Sequence, residues 1–125
     1  MTTLNKEQVK RLHEMLLDNT GGLDGIRDEA LLDSALSAPF QTFDGIELYS
    51  STVAKIARTA YSLVCNHPFV DGNKRIGIYV LLVLLEINHI VVDFTDDDMI
   101  RVGMELAKGV MSDKQLLDFI LEHSL

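Results

Sequence analysis

His67-Pro68-Phe69-Val70-Asp71-Gly72-Asn73-Lys74-Arg75 runs directly into Ile76-Gly77-Ile78-Tyr79-Val80-Leu81-Leu82-Val83-Leu84-Leu85. Nine residues rich in charge and turn formers thus open the most apolar stretch of the chain. Periodicity predicts a helix from Asn73 to about Ile87, apolar nearly all round, as expected of a helix buried at the centre of a bundle. At ten apolar residues before Glu86 the stretch is too short to span a bilayer.

The segments on either side supply the rest of such a bundle. Upstream, Val53, Ile56, Ala57, Ala60 and Val64 mark the inward face of a helix over Ser51–Asn66. Further back, Val9, Leu12, Leu16 and Leu17 predict a helix from Asn5 to Asn19, with Asn5 and Gln8 at capping-box spacing and Gly21-Gly22 ending it. Asp28 is the expected cap of a short helix carrying Leu31, Leu32, Ala35 and Leu36, which Pro39 stops. Asp44-Gly45 between Phe43 and Ile46 predicts a β-hairpin. Downstream, Asn88-His89 turns the chain and Ile90–Phe94 is short and extended. Two amphipathic helices follow, near Asp96–Lys108 and Ser112–Glu122, the second with Ser112 and Gln115 at capping-box spacing. The expected fold is all-α with one short hairpin, a single domain over residues 1–125, with no repeat or linker.

Composition agrees. Of 125 residues, 47% are apolar and 24% charged, the balance of a globular domain with one core. Nineteen Asp+Glu against eleven Lys+Arg give a net charge of −8, so neither nucleic acid nor a membrane surface is an expected partner. A small basic pocket for a nucleotide remains compatible with that charge. The single cysteine, Cys65, has no internal disulfide partner and is expected as a small core residue. No basic start leads into an apolar run at the N-terminus, so no secretory leader is expected and the expected compartment is the cytoplasm.

Residues 67–75 carry the chemistry. A helix start presents unpaired N–H groups and a positive dipole end. Lys74 and Arg75 add cations where the dipole disfavours them, which points to an anion, and phosphate is the usual one. Gly72 allows close backbone approach. Asp71 offers a hard oxygen suited to Mg²⁺, and His67 is a side chain able to act as a general base. Together they describe a phosphoryl- or nucleotidyl-transfer site. Each has a plainer reading: a capping histidine, a turn aspartate, a solvated cation pair. Asp96-Asp97-Asp98 is read as an acidic helix start rather than a metal site. His13, His89 and His123 are read as structural or exposed.

The run from His67 to Arg75 resembles the Fic signature H-P-F-x-D/E-G-N-G/K-R, and the order of helices with a hairpin ahead of the motif is similar to the small Fic/Doc fold. Gly21-Gly22, then Gly25, Arg27 and Asp28, resembles the Doc (death-on-curing) branch. The resemblance implies roles by position. His67 would be the base toward a target hydroxyl, Asp71 the Mg²⁺ ligand, Gly72, Asn73, Lys74 and Arg75 the loop holding the phosphates of ATP, and Phe69 an apolar anchor. The hairpin would be a flap that aligns a target peptide by strand pairing. Lys74 stands where AMP-transferring relatives usually have Gly, and Ile78 stands in place of their second arginine. Both departures resemble the Doc branch, which implies γ-phosphoryl transfer to a protein hydroxyl. Pro68 and Gly72 follow the general Fic pattern, so AMP transfer (AMPylation) remains the alternative, and a catalytically silent binding module a third. The Doc resemblance further implies a toxin paired with an antitoxin and acting on a translation factor such as an elongation factor. The inhibitory-helix pattern S/T-x-x-x-E-G/N finds only Thr3 to Glu7 followed by Gln8, so inhibition is expected from a separate antitoxin chain.

Overall fold

A computed structural model describes all 125 residues. Six helices, α1 (Lys6–Thr20), α2 (Glu29–Ser37), α3 (Thr52–Cys65), α4 (Asn73–Ile87), α5 (Asp96–Ala107) and α6 (Asp113–Glu122), surround one core. A two-stranded antiparallel hairpin, β1 (Thr42–Phe43) and β2 (Ile46–Glu47), projects between α2 and α3. The expected all-α class with a small flap is what forms. No helix is long and apolar enough to cross a membrane.

Most helix starts are fixed by the residues expected to fix them. Asn5 and Gln8 form a reciprocal capping box on α1, as do Ser112 and Gln115 on α6. Asp28 caps α2 and Ser51 caps α3 through their side chains. The acidic run opens α5, where Thr95 and Asp98 make a third capping box. Its backbone donor at Thr95 holds the Asp98 carboxyl below the usual carboxylate range. No group of three or more His, Cys, Asp or Glu side chains is arranged to hold a metal.

The core is the seam between α3 and α4. Ile56, Ala60, Leu63 and Val64 of α3 are buried against Ile76, Val80, Leu84 and Leu85 of α4. Gly77 makes the seam possible: a Cβ there would lie 2.3 Å from Val64 Cγ2 and 3.3 Å from the Ala60 carbonyl oxygen. The C-terminal residues close the bundle by pairing with the extended segment after α4: Val92 bridges Ser124, and the Leu125 N–H donates to the Val91 carbonyl.

Two expectations are corrected. Although α4 is apolar nearly all round, it is not buried all round. Leu82 is 38% exposed, and with Ile78 and Tyr79 it floors an open groove of about 350 Å³ between α1 and α5. On α1 the buried row is Val9, His13 and Leu17, while Leu12 and Leu16 are half-buried. Pro39 stops α2 as expected: the α-helix ends at Ser37 and tightens into a 3-10 turn over Ala38–Phe40 that includes the proline.

The hairpin follows the Asp44-Gly45 signal. Both residues have positive φ, 50° and 76°, the backbone of a type I′ turn. Two-residue strands cannot hold themselves in place, and the hairpin is anchored by polar contacts at its base. The nearly buried Lys55 ammonium donates to the Tyr49 carbonyl and pairs with Glu47 at 3.1 Å. The Tyr49 hydroxyl donates to Asp113 on α6, which also takes a 3.1 Å bond from Arg58 on α3. Burial pushes the Tyr49 hydroxyl pKa up, so it remains a donor.

The close α3–α4 contact sets an expected outcome for Gly77→Ala. Helix propensity would favour alanine by about 1 kcal/mol, but overpacking against Val64 costs about 1–3 kcal/mol. The variant should be less stable in urea unfolding at unchanged m.

Candidate functional site

The seven-residue connection between α3 and α4, residues 66–72, folds back on itself through Asn73, the first residue of α4. Its side-chain oxygen accepts from the Phe69 N–H at 2.9 Å and its amide nitrogen donates to the Phe69 carbonyl at 3.0 Å. Phe69 is 2% exposed and pins the loop to the core. Asn73, grouped by the sequence with the ligand-binding residues, therefore has its side chain committed to the loop itself and nearly buried. What it can present outward is its backbone N–H.

That N–H belongs to a helix start unlike the other five. Gly72, the N-cap of α4, has φ 78° and ψ 16° and makes no side-chain capping bond. Left-handed backbone at this position suits glycine. The other five helices each have a side-chain cap. The first turn of α4 thus opens with unsatisfied donors into a cleft of about 430 Å³ lined by His67, Val70, Asp71, Gly72, Asn73, Lys74 and Arg75. All six residues singled out for chemistry in the sequence meet around this one cleft.

His67 is exposed, with φ 50°. Its carbonyl accepts from Arg27 Nε at 2.7 Å, and Arg27 also donates to the Asn66 carbonyl at 3.0 Å. The guanidinium thereby satisfies carbonyls at the C-terminal end of α3, where a cation is favoured. No protein group hydrogen-bonds the imidazole. Asp71 is half-exposed and held on both oxygens: Oδ1 accepts from the Gly72 N–H at 2.8 Å and Oδ2 from the Leu23 N–H at 3.3 Å. These two backbone donors, then the positive charge of Arg75, hold its carboxyl below the usual carboxylate range. Asp71 is therefore an ionised carboxylate held in place at neutral pH. Mg²⁺ is commonly held by one or two carboxylates together with substrate phosphates, and one ionised carboxylate beside an uncapped helix start fits that mode.

Arg75 is fixed rather than mobile. Its guanidinium donates to Thr20 Oγ1 and to the Gly21 carbonyl at 3.0 Å, both at the end of α1, and approaches Asp71 to 3.7 Å. Lys74 is exposed and has no carboxylate partner. Its stem lies along α5, close enough that a Cβ on Gly103 would be 3.1 Å from Lys74 Cγ. Lys74 and Arg75 line both this cleft and the apolar groove beside α5.

The sequence marked residues 21–28 by their resemblance to the Doc branch and not as the strap that grips this loop. Residues 21–28 run along it: Val70 N–H donates to the Gly25 carbonyl, and both the Arg27 and Asp28 N–H groups donate to the Pro68 carbonyl. Gly22 packs so tightly that a Cβ would be 2.7 Å from Asp71 Oδ2. Backbone donors such as Leu23 leave no residue-type signature, so no sequence pattern identifies them. Cys65 is half-buried, its thiol pKa pushed up by burial, as expected of a packing residue and not a nucleophile.

Two outcomes follow from this geometry. Asn73→Ala would leave the buried N–H and C=O of Phe69 unpaired and should cost about 2–4 kcal/mol of stability, read by urea unfolding. Asp71 titrates lower in the folded than in the unfolded chain, so its contribution to stability is present above the ordinary carboxylate range and is lost as pH falls through its depressed value. Carboxyl ¹³C NMR should place the Asp71 midpoint below that of an ordinary aspartate, and Arg75→Met should raise it.

Comparison with known proteins agrees with this geometry. Residues 3–85, about two-thirds of the chain, match the model of the Fic/DOC family. The chain is 40% identical over 68 residues to Toxin Doc of Mycolicibacterium smegmatis (strain ATCC 700084 / mc(2)155), an overlap of 54% of this chain and 52% of that protein. The chain thus spans about half the length of that relative. The family match includes the whole cleft, the strap and the hairpin, and the chain belongs to the Fic/DOC family.

Proposed function

We propose that this chain is a protein-modifying transferase of the Doc type, moving the γ-phosphoryl group of ATP to a Ser or Thr hydroxyl of a target protein. The reading is carried by one juxtaposition: the uncapped start of α4, flanked by Lys74 and Arg75, opens onto the same cleft as the exposed His67 and the ionised Asp71.

In this reading the backbone N–H groups of Asn73, Lys74 and Arg75 bind phosphate oxygens, with the two cations neutralising charge as it shifts. Arg75, tied to α1, orients the phosphates, and Lys74 follows them. Asp71 would hold Mg²⁺ jointly with the phosphates, which supplies charge neutralisation at the transferring group. His67 takes the proton of the target hydroxyl as its oxygen bonds to Pγ and the bond from Pγ to the bridging oxygen breaks, releasing ADP. The exposed hairpin edge offers the target a strand to pair with. Lys74 and Ile78 support this orientation of ATP. Pro68 and Gly72 support the second reading, in which attack falls on Pα, AMP is transferred and pyrophosphate leaves.

The relative named Toxin Doc supports a growth-arresting role in the cytoplasm, with a translation factor such as an elongation factor as target and a separate antitoxin as inhibitor. The open groove between α1, α4 and α5, and separately the exposed hairpin, are apolar surfaces such an antitoxin would cover.

The experiment is label transfer in a cell lysate with Mg²⁺ and ATP labelled at the α or the γ phosphate. The expected result is a protein band labelled from γ only, lost in His67→Ala at least about 100-fold while that variant keeps its unfolding midpoint. A band labelled from α would establish AMP transfer instead. ATP binding with no transfer from either position would leave a binding module.

A further inference from the structure

We infer that His13, 58 residues before the motif aspartate in sequence, is a positioning residue that sets the anion-binding end of α4 through the Asp71 carbonyl. The inference rests on the phosphate-site reading above and adds to it a residue outside the signature.

His13 is 2% exposed, between Val9 and Leu17 on the inward face of α1. A buried imidazole must find a partner for its N–H. Its Nε2 lies 2.7 Å from the Asp71 carbonyl oxygen. A carbonyl only accepts, so Nε2 carries the proton and donates. The ring stacks on Phe69, with centroids 3.8 Å apart and planes 13° from parallel. Gly72 sits directly on it: a Cβ there would be 3.4 Å from His13 Nε2.

One peptide unit joins Asp71 to Gly72, and both its polar groups are held. His13 holds the carbonyl, and the Asp71 carboxylate holds the N–H. The plane of that unit sets the approach to Gly72, whose left-handed φ of 78° turns the chain into α4. Fixing the plane therefore fixes both the direction of the first α4 amides and the rotamer of Asp71. An apolar side chain of the same size could fill the space under Phe69, but only a donor can hold the carbonyl. Lining the cavity beneath the loop is thus separable from aiming the loop, and the two roles call for different variants.

His13→Phe keeps the stack on Phe69 and removes the donor. His13→Gln keeps a donor and gives up the stack. Mg·ATP binding is measured by calorimetry on the full chain, with ¹⁵N order parameters of the residue 71–74 amides in the ligand-free protein. Expected is a loss of at least about tenfold in Mg·ATP affinity for His13→Phe and recovery to within about threefold of wild type for His13→Gln, the range seen when groups that orient a ligand are removed. The order parameters should fall in His13→Phe and recover in His13→Gln, with α6 unchanged. Equal binding and equal order in His13→Phe and wild type would overturn the inference, as would equal loss in both variants, which describes a packing role. If wild type itself takes up no Mg·ATP, the phosphate-site reading falls, and the order parameters alone decide whether His13 holds the loop. Should His13→Phe not fold, His13→Leu takes its place; if neither folds, His13 serves folding and the inference falls.

Discussion

The start of α4 has no side-chain cap, and much of the local architecture can be understood from that constraint. A buried polar loop ordinarily satisfies its helix start with a Ser, Thr or Asp side chain. Gly72 provides none, so the loop has to be held by bonds that leave the first α4 amides free. Asn73 ties the loop to itself through Phe69. Arg27 takes up the carbonyls of Asn66 and His67, and the backbone of residues 25–28 pairs with Pro68 and Val70. The strap does for the loop what a cap would have done, without covering the donors.

The electrostatic arrangement follows the same division. The chain is acidic, and many of its cations are paired: Lys6 and Lys10 with Glu29, Lys55 with Glu47, Arg58 with Asp113, Arg101 with Glu105. Lys74 has no such partner, and Arg75 meets Asp71 only at 3.7 Å. Lys74 and Arg75 thus place two cations at one cleft of a chain with net charge −8.

Much of the fold was legible because its signals are local. Capping boxes, the Asp44-Gly45 turn and the apolar periodicity each need only a few neighbouring residues, and they placed the elements to within a residue or two. The six cleft residues were legible for the same reason, being nearly contiguous. What was not legible is long-range. Asn73 reads as a ligand-facing polar residue until Phe69 folds back over it. His13 reads as an isolated histidine, although its spacing of four from both Val9 and Leu17 marks it as inward-facing. The open face of α4 was hidden by composition: a helix apolar all round reports what could be buried, and only the neighbours decide what is.

The hairpin has a consequence for the protein in solution. It is clamped at its base by Lys55, Tyr49, Arg58 and Asp113, yet its turn end carries Phe43 and Ile46, each more than two-thirds exposed. That is an unpaired β-edge with apolar side chains, of the kind that pairs readily with another copy. Like-charge repulsion from a net charge of −8 opposes such encounters, and this repulsion is screened beyond about 8 Å at physiological ionic strength. Added salt is therefore expected to favour contact between copies through the flap, as the screening length shrinks.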